Sequence, residues 1–338
     1  MAGESCVLSK TKWFHMQTVV LIGMGYVGLT MSVYLAKNGI CVFGVDVSET
    51  IRQSVNEGKS PFFEAGFEEA LADAVFSGKL SAHSGLDEIP PADVYILTLG
   101  TALSQGAPYR ENFEKVLASI TGHAKSDALL ILRSTVHVGF TRDFVDFKVN
   151  QSRPGNPISV AFCPERTLEG VALRELEKLP QIIGAIDGVA QNKAKRFFEQ
   201  VGVATICVDT PEAAEVAKLL CNSVRDLEFA IANEAALICD RVGVSFSQVV
   251  EACSREYPRF KIMRPGPVGG PCLEKDPLIL AESIYADEEP SLFRLGRQKN
   301  REYVYSSVSR FVNNRSLGKS GVTVGVAGLA FKGFPATS

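Results

Sequence analysis

The sequence contains no C-x-x-C pair. Its eight cysteines fall at 6, 41, 163, 207, 221, 239, 253 and 272, and its four histidines are not paired with them. That spacing argues against a structural zinc site, and a chain of 338 residues has little need of a disulfide framework. Free thiols in this number fit a reducing cytoplasm. No basic run exceeds two residues, the formal net charge is only −3 and the pI is near 5.9. Nothing in the bulk field therefore points to a nucleic acid or an acidic membrane as partner. Repeats and low-complexity tracts are also missing. Apolar residues make up 46% and charged residues 22%, which excludes a disordered, collagen-like or coiled-coil chain. Charge is absent from Thr18 to Ala36, a stretch long enough to be read as a membrane span or a secretory signal. Gly23, Gly25 and Gly28, with Thr30 and Ser32, argue against that reading: the first five residues look like a strand and the rest like a helix.

What is present is an alternation. Residues 1–16 lack periodicity and read as a loose tail. Strands are expected at Thr18–Ile22, Cys41–Asp46, Val94–Leu99, Leu129–Ser134, Ile158–Phe162, Gln181–Ile186 and Ala204–Val208. Helices are expected at Tyr26–Asn38, from a Ser48 cap to about Asn56, and near 110–124 and 140–150. Short, doubly apolar strands between helices predict a parallel α/β sheet covered on both faces. The pattern changes at Pro211. From there to Val242 runs one helical pattern without internal glycine or proline, about 48 Å long at 1.5 Å per residue. Val216, Leu219, Leu220, Val224, Leu227, Ile231 and Leu237 recur at helical spacing, predicting the spine of a second, helical domain and a dimer face. Cys221 and Cys239 on it read as core residues. Ser245–Cys253 and Leu292–Phe311 continue the helices, and Val322–Leu329 returns to a strand.

Gly23-Met24-Gly25-Tyr26-Val27-Gly28 is a G-x-G-x-x-G between a strand and a helix, and the next strand ends at Asp46. Gly23 would make the tight turn, Gly25 would let backbone approach a pyrophosphate, and Gly28 would let helix pack on strand. The helix N-terminus offers N–H groups to phosphates. Asp46 would accept the adenosine ribose hydroxyls and repel a 2′-phosphate, favouring NAD over NADP.

The second unusual segment is Arg264-Pro-Gly-Pro-Val-Gly-Gly-Pro-Cys272-Leu-Glu-Lys275-Asp276-Pro277. A loop so rich in glycine and proline presents its cysteine. Lys275 would favour the thiolate and Asp276 could activate water. Composition alone balances this against a structural loop with a chance thiol. Beside a bound nicotinamide, however, a thiol suggests a definite chemistry. Hydride removal from an alcohol gives an aldehyde; cysteine addition gives a thiohemiacetal; a second hydride leaves a thioester, which water hydrolyses.

These two loops, with Ser134-Thr135-Val136, Cys163-Pro-Glu165-Arg166-Thr-Leu-Glu-Gly170 and Glu215-x-x-Lys218-x-x-x-Asn222, resemble the UDP-glucose/GDP-mannose dehydrogenase family of nucleotide-sugar 6-dehydrogenases, in the same order from about 18 to 332. The resemblance implies a Rossmann domain over 17–209, a helical substrate and dimerisation domain over 210–314, and over 315–338 the start of a C-terminal nucleotide-sugar-binding domain. It implies Cys272 as nucleophile, Lys218 and Asn222 as stabilisers of the oxyanion at C6, and Asp276 as the group that positions water. Thr135 and Glu165 match positions near the nicotinamide and the reacting carbon. Gly23, Gly25, Tyr26, Val27, Gly28, Asp46, Thr101, Thr135 and Lys275 would hold NAD. Glu165, Arg166, Lys218, Asn222, Arg259, Gly269, Gly270 and Lys332 would hold the sugar nucleotide, Arg259 that of a partner subunit.

Two departures from the pattern stand out. His137 replaces a usual proline, and the sequence ends nine residues past Leu329, before the family's Asp-x-Arg motif and the rest of the C-terminal domain. Without that domain, nucleotide-sugar affinity is expected to fall sharply. The Cys-Pro-Glu-Arg-Thr-Leu-Glu-Gly and Leu179-Pro-Gln-Ile-Ile-Gly184 segments lean toward UDP-N-acetylhexosamines, while Cys-x-x-Lys-Asp resembles UDP-glucose and GDP-mannose enzymes. Two other classes stay open: a two-electron β-hydroxyacid dehydrogenase on the same plan, and a non-catalytic NAD-binding dimer.

Overall fold

The computed structural model describes residues 18–101, 107–151, 153–284, 289–314 and 323. The expected tail, the strand at 322–329 and Lys332 lie outside them, Thr323 apart.

The alternation organises the N-terminal part. In chain order come β1 (Thr18–Ile22), α1 (Tyr26–Lys37), β2 (Cys41–Val45), α2 (Glu49–Asn56), α3 (Phe67–Phe76), β3 (Leu80–His83), β4 (Val94–Leu97), α4 (Ala107–His123) and β5 (Leu129–Leu132). A π-helical turn, Thr141–Asp146, leads into α5 (Phe147–Asn150); then follow β6 (Ser159–Phe162), α6 (Ala172–Lys178), β7 (Gln181–Ala185), α7 (Gly188–Gln200) and β8 (Thr205–Val208). The strands form one eight-stranded sheet in the order β3-β2-β1-β4-β5-β6-β7-β8. It corrects the all-parallel expectation at one point: β7 runs antiparallel to β6, and β8 follows β7. A single rank crosses the sheet through His83, Val45, Ile22, Leu97, Leu132, Phe162, Gly184 and Val208.

Period-two alternation splits the core between the two faces. Val19, Leu21, Ile96 and Ile131 enter the cluster under α1, α3 and α7, whereas Val20, Ile22, Leu97 and Leu132 enter the one under α4 and α5. All eight are buried, at about 1.5–3 kcal/mol per side chain. The sequence reading omits α3, β3, α6 and α7; β3, for instance, buries only alternate residues and carries no apolar run.

The C-terminal part is helical: α8 (Pro211–Val242), α9 (Phe246–Ser254), α10 (Asp276–Glu282) and α11 (Leu292–Asn314). The Thr210 hydroxyl caps α8 by accepting from Ala213 N–H, Pro211 starts it, and Gly243 ends it at φ 75°. Its packing differs from the periodicity reading. The buried face is largely small and polar, including Glu215, Lys218, Ser223, Asp226 and Asn233. Leu220, Val224 and Ile231, expected on the spine of a helical domain and a dimer face, are exposed, and so are Ile238 and Val242. At 100° per residue these five fall within about 40° of one another. Cys221 is likewise exposed rather than core, whereas Cys239 is buried. Among the described residues, no helix is long and apolar enough to cross a membrane, and the uncharged stretch from Thr18 is divided between β1 and α1.

Candidate active site

Two glycines of the first loop have a distinct steric reason. Gly23 adopts φ +97°, and a Cβ there would lie 2.8 Å from Thr98 O. A Cβ on Gly28 would fall 1.8 Å from Gly23 O. Gly25, the N-cap of α1, has open space where its Cβ would be, and no side chain caps that helix. An uncapped helix start behind an open glycine is what a pyrophosphate needs. Asp46 follows β2 directly: its Oδ2 accepts Met24 N–H at 2.7 Å and its Oδ1 accepts Ser48 N–H at 2.8 Å. These bonds aim the carboxylate beside the loop and leave each oxygen a second lone pair for a ribose hydroxyl. The residues present therefore fit a dinucleotide. Val27 is half-buried at the helix start. Tyr26 turns elsewhere: its hydroxyl donates to Glu64 Oε2 and accepts from Gly170 N–H at 2.9 Å.

A second group forms between α8 and the glycine–proline loop. Lys218 and Asn222 lie one turn apart on α8 and meet Asp276, the first residue of α10. Asn222 Nδ2 donates to Asp276 Oδ2 at 2.6 Å, and Lys218 Nζ lies 3.7 Å from the same oxygen. Asp276 is wholly buried, yet its Oδ1 has no hydrogen-bond partner. The Asp276 N–H donates to the Cys272 carbonyl at 3.0 Å, so α10 fixes one end of the cysteine segment. Seven residues are too few for helical spacing to show in the sequence, so α10 differs from the loop expected at Asp276.

Cys272 itself is exposed as a residue. Crowding around its sulfur raises the thiol above its ordinary range; Lys218 pulls it down, Asp276 pushes it up, and Lys275 contributes a smaller downward pull. The net direction is upward: Lys275 does favour the thiolate, as expected, but burial outweighs it. Lys218 is the stronger cation at the sulfur. Lys275 instead donates to Thr101 O at 3.0 Å and Thr101 Oγ1 at 3.2 Å, tying the cysteine segment to the end of β4.

Glu165 belongs to a third group. It pairs with buried Arg133 and accepts at 2.7 Å from the backbone N–H of both Arg166 and Thr167. Burial works to raise this carboxyl, but Arg133 and the N–H donors outweigh it and hold it below the usual range. None of its hydrogen bonds goes to Cys272, Lys218, Asn222 or Asp276. Arg133 also donates to Gln181 Oε1 at 2.7 Å, and Arg166 to Pro180 O. Arg133, Gln181 and Glu64 were not singled out from the sequence. The signal for Arg133 was present, a charge closing a fully apolar run, but Glu64 carries none. Thr135 is half-buried on the loop after β5. Arg259 is exposed, its guanidinium 4.6 Å over its own Tyr257 ring. Gly269 and Gly270 are half-buried before the cysteine, Gly270 at φ +95°. Among the described residues, no group of three or more His, Cys, Asp or Glu is placed to hold a metal ion.

Comparison with known proteins agrees with this layout. Residues 17–202 match the NAD binding domain of the UDP-glucose/GDP-mannose dehydrogenase family, and residues 212–302 match its central domain. The chain is 29% identical to a UDP-N-acetyl-D-mannosamine dehydrogenase of Pyrococcus horikoshii, over 93% of this chain and 76% of that protein. It is 32% identical to an NDP-N-acetyl-D-galactosaminuronic acid dehydrogenase of Ralstonia nicotianae, over 84% of this chain and 68% of that protein. A solved UDP-glucose dehydrogenase from Pyrobaculum islandicum superposes with a TM-score of 0.81 at 30% identity, covering 95% of this chain and 76% of the other. A 3-hydroxyisobutyrate dehydrogenase of Mycobacterium tuberculosis shares the fold alone, with a TM-score of 0.59 at 16% identity. With two of the family's domain models matched in sequence, and with the glycine turn and the lysine–asparagine–cysteine–aspartate group in place, the chain belongs to the UDP-glucose/GDP-mannose dehydrogenase family.

Proposed function

We propose that the protein oxidises the C6 hydroxymethyl group of a UDP-sugar to the uronate, using two NAD and one water, to supply a polysaccharide precursor. The observation that carries this reading is the meeting of Lys218, Asn222 and Asp276 beside the Cys272 thiol, with Lys275 joining that group to Thr101 on the loop that follows β4. Bound nicotinamide would supply the hydride acceptor in both oxidations. The balance is RCH₂OH + 2 NAD⁺ + H₂O → RCOO⁻ + 2 NADH + 3 H⁺.

In this reading Cys272 Sγ adds to the C6 aldehyde and holds it as a thiohemiacetal, then as a thioester. Lys218 Nζ and Asn222 Nδ2 donate to the C6 oxygen wherever it carries charge. Asp276 Oδ1, buried and without a partner, accepts a proton from the water that cleaves the thioester, and Cys272 leaves as the thiol. Because the resting thiol is raised, it must lose its proton on addition, with Lys218 as the nearest compensating charge. Asp46 selects NAD over NADP. Glu165, held ionised by Arg133, anchors the 163–171 segment, and Thr135, Arg166, Gly269 and Gly270 face the reacting sugar.

Relatives named as UDP-N-acetyl-D-mannosamine dehydrogenases support a UDP-N-acetylhexosamine substrate, in the mannosamine or glucosamine form, with UDP-glucose the next reading. The exposed stripe of Leu220, Val224, Ile231, Ile238 and Val242 supports a homodimer through α8, with Arg259 reaching the partner's substrate. The domains divide near 209/210, and unpaired thiols fit the cytoplasm. The decisive measurement is the ratio of NADH formed to sugar oxidised. Two supports the reading; one would replace it by a two-electron dehydrogenase; NAD binding without turnover of any UDP-sugar would leave an NAD-binding dimer.

A further inference from the structure

The segment leading to Cys272 is held by side chains that the proposed chemistry does not use. Asn233 on α8 is wholly buried and grips Gly266 at two points: its Oδ1 accepts Gly266 N–H at 2.8 Å, and its Nδ2 donates to Gly266 O at 3.0 Å. The second Nδ2 hydrogen goes to Asn300 Oδ1 at 2.8 Å. Asn300, on α11 and wholly buried, donates to Asp226 O at 3.0 Å and Asp226 Oδ1 at 2.9 Å. Arg297 on α11 pairs with Asp226 and extends its other nitrogen toward Val268 O, at a long 3.5 Å. Each carboxamide is fixed in one orientation by this chain of donors and acceptors.

Four buried polar side chains are an expensive way to join two helices. Apolar residues of the same volume commonly do it at equal or better stability. Arg297 Nε has no partner, but the two carboxamides are paired throughout, and what such pairing adds is a single geometry for what it touches, here the peptide of Gly266. Pro267 and Pro271 limit the backbone between Gly266 and the cysteine. Beyond it, the first turn of α10 takes the Cys272 carbonyl. Lys218, Asn222, Asp226 and Asn233 fall within about 80° of one another on α8. One helix face thus carries Lys218 and Asn222 of the site and, through Asn233, the clamp on the segment that leads to the sulfur.

We propose that Asn233 and Asn300, supported by the Asp226–Arg297 pair, are positioning residues that fix the Gly266–Val268 strap and thereby set the place of Cys272 relative to Lys218 and Asn222. The proposal rests on Cys272 being the nucleophile, but its test does not use turnover. The rate of Cys272 alkylation by iodoacetamide is followed by peptide mass spectrometry from pH 6 to 10, since other cysteines are also exposed. In the native background, Lys218→Met should slow alkylation at pH 8 at least threefold and move the pH profile upward. In the Asn233→Asp background, whose carboxylate cannot donate to Gly266 O, the same substitution should change the rate less than 1.5-fold, with the far-UV spectrum retained. An equal Lys218 effect in both backgrounds would overturn the proposal. If Asn233→Asp does not fold, Asn300→Leu serves in its place, and amide exchange of the native protein decides independently. The Gly266 amide should be protected at least 100-fold relative to a free peptide of the same segment; exchange at the free-peptide rate overturns the clamp. Failure of Cys272→Ser to affect turnover would remove the nucleophile assignment while leaving these readings intact, so the two failures are distinguishable.

Discussion

Single residues carry the sharpest consequences. Cys272→Ser leaves a hydroxyl too weakly acidic to form the ester-level intermediate at a useful rate. Uronate production should fall at least a thousandfold while NAD affinity stays within twofold, read by product chromatography and titration calorimetry. Glu215 makes a different point. Its Oε2 accepts Gly139 N–H at 2.6 Å and its Oε1 accepts Thr141 N–H at 2.9 Å, so it caps the turn after β5 from inside the core. Burial outweighs these bonds and pushes its carboxyl up to about 7. Between roughly pH 4.5 and 7 the folded chain keeps a proton that the unfolded chain has lost. The contribution of this site is therefore fully present below pH 4.5 and is lost as pH rises through 7, on the order of 3 kcal/mol in all. Urea unfolding across pH 5 to 8 should show that slope, and Glu215→Gln should flatten it. The Glu215 motif was visible in the sequence; its burial was not, because helical spacing alone does not say which face of α8 is covered.

At the scale of elements, α8 was legible in extent, while the division of its apolar residues between core and surface was not. Thr210, Pro211 and Gly243 bracket it as local capping chemistry requires. Only some of its apolar residues enter the intramolecular core, Leu219 against Ile279 and Leu280 among them, and small and polar groups make up most of the buried side. An apolar stripe facing outward is a candidate interface. Ile231→Lys, 56% exposed and in the middle of the stripe, should convert a dimer to a monomer at micromolar concentration in sedimentation velocity, with little loss of helix signal. A native protein that sediments as a monomer would contradict the dimer directly. The G-x-G-x-x-G turn was the most readable element, since Gly23 takes a left-handed φ and Gly28 presses on the Gly23 carbonyl five residues back. The Glu165–Arg133–Gln181 group was unreadable for the opposite reason: its members lie up to 48 positions apart and meet only through strand order.

For the molecule as a whole, the N-terminal sheet and the helical part communicate through few polar contacts near the site, and Lys275 to Thr101 is one of them. Lys275→Met should weaken NAD binding by about tenfold, roughly 1.4 kcal/mol, while changing thermal stability little; calorimetry with NAD checks it. Unchanged affinity would reduce Lys275 to a tether.

The reversed strand pair at β6 and β7 has one more effect. Gly184 stands level with the ends of β1, β4, β5 and β6, and Thr210 and Pro211 press against it so closely that a Cβ would sit 2.3 Å from Thr210 O. The long helix therefore sets out from the very rank on which the glycine turn rests, and climbs away from it like a ruler with its zero pinned. Lys218 stands seven residues up, about 10 Å. Removing one residue between Pro211 and Glu215 would lower Lys218 and Asn222 by about 1.5 Å and swing both by about 100°. The reach of the lysine is thus metered by residue count from a backbone contact that tolerates no side chain.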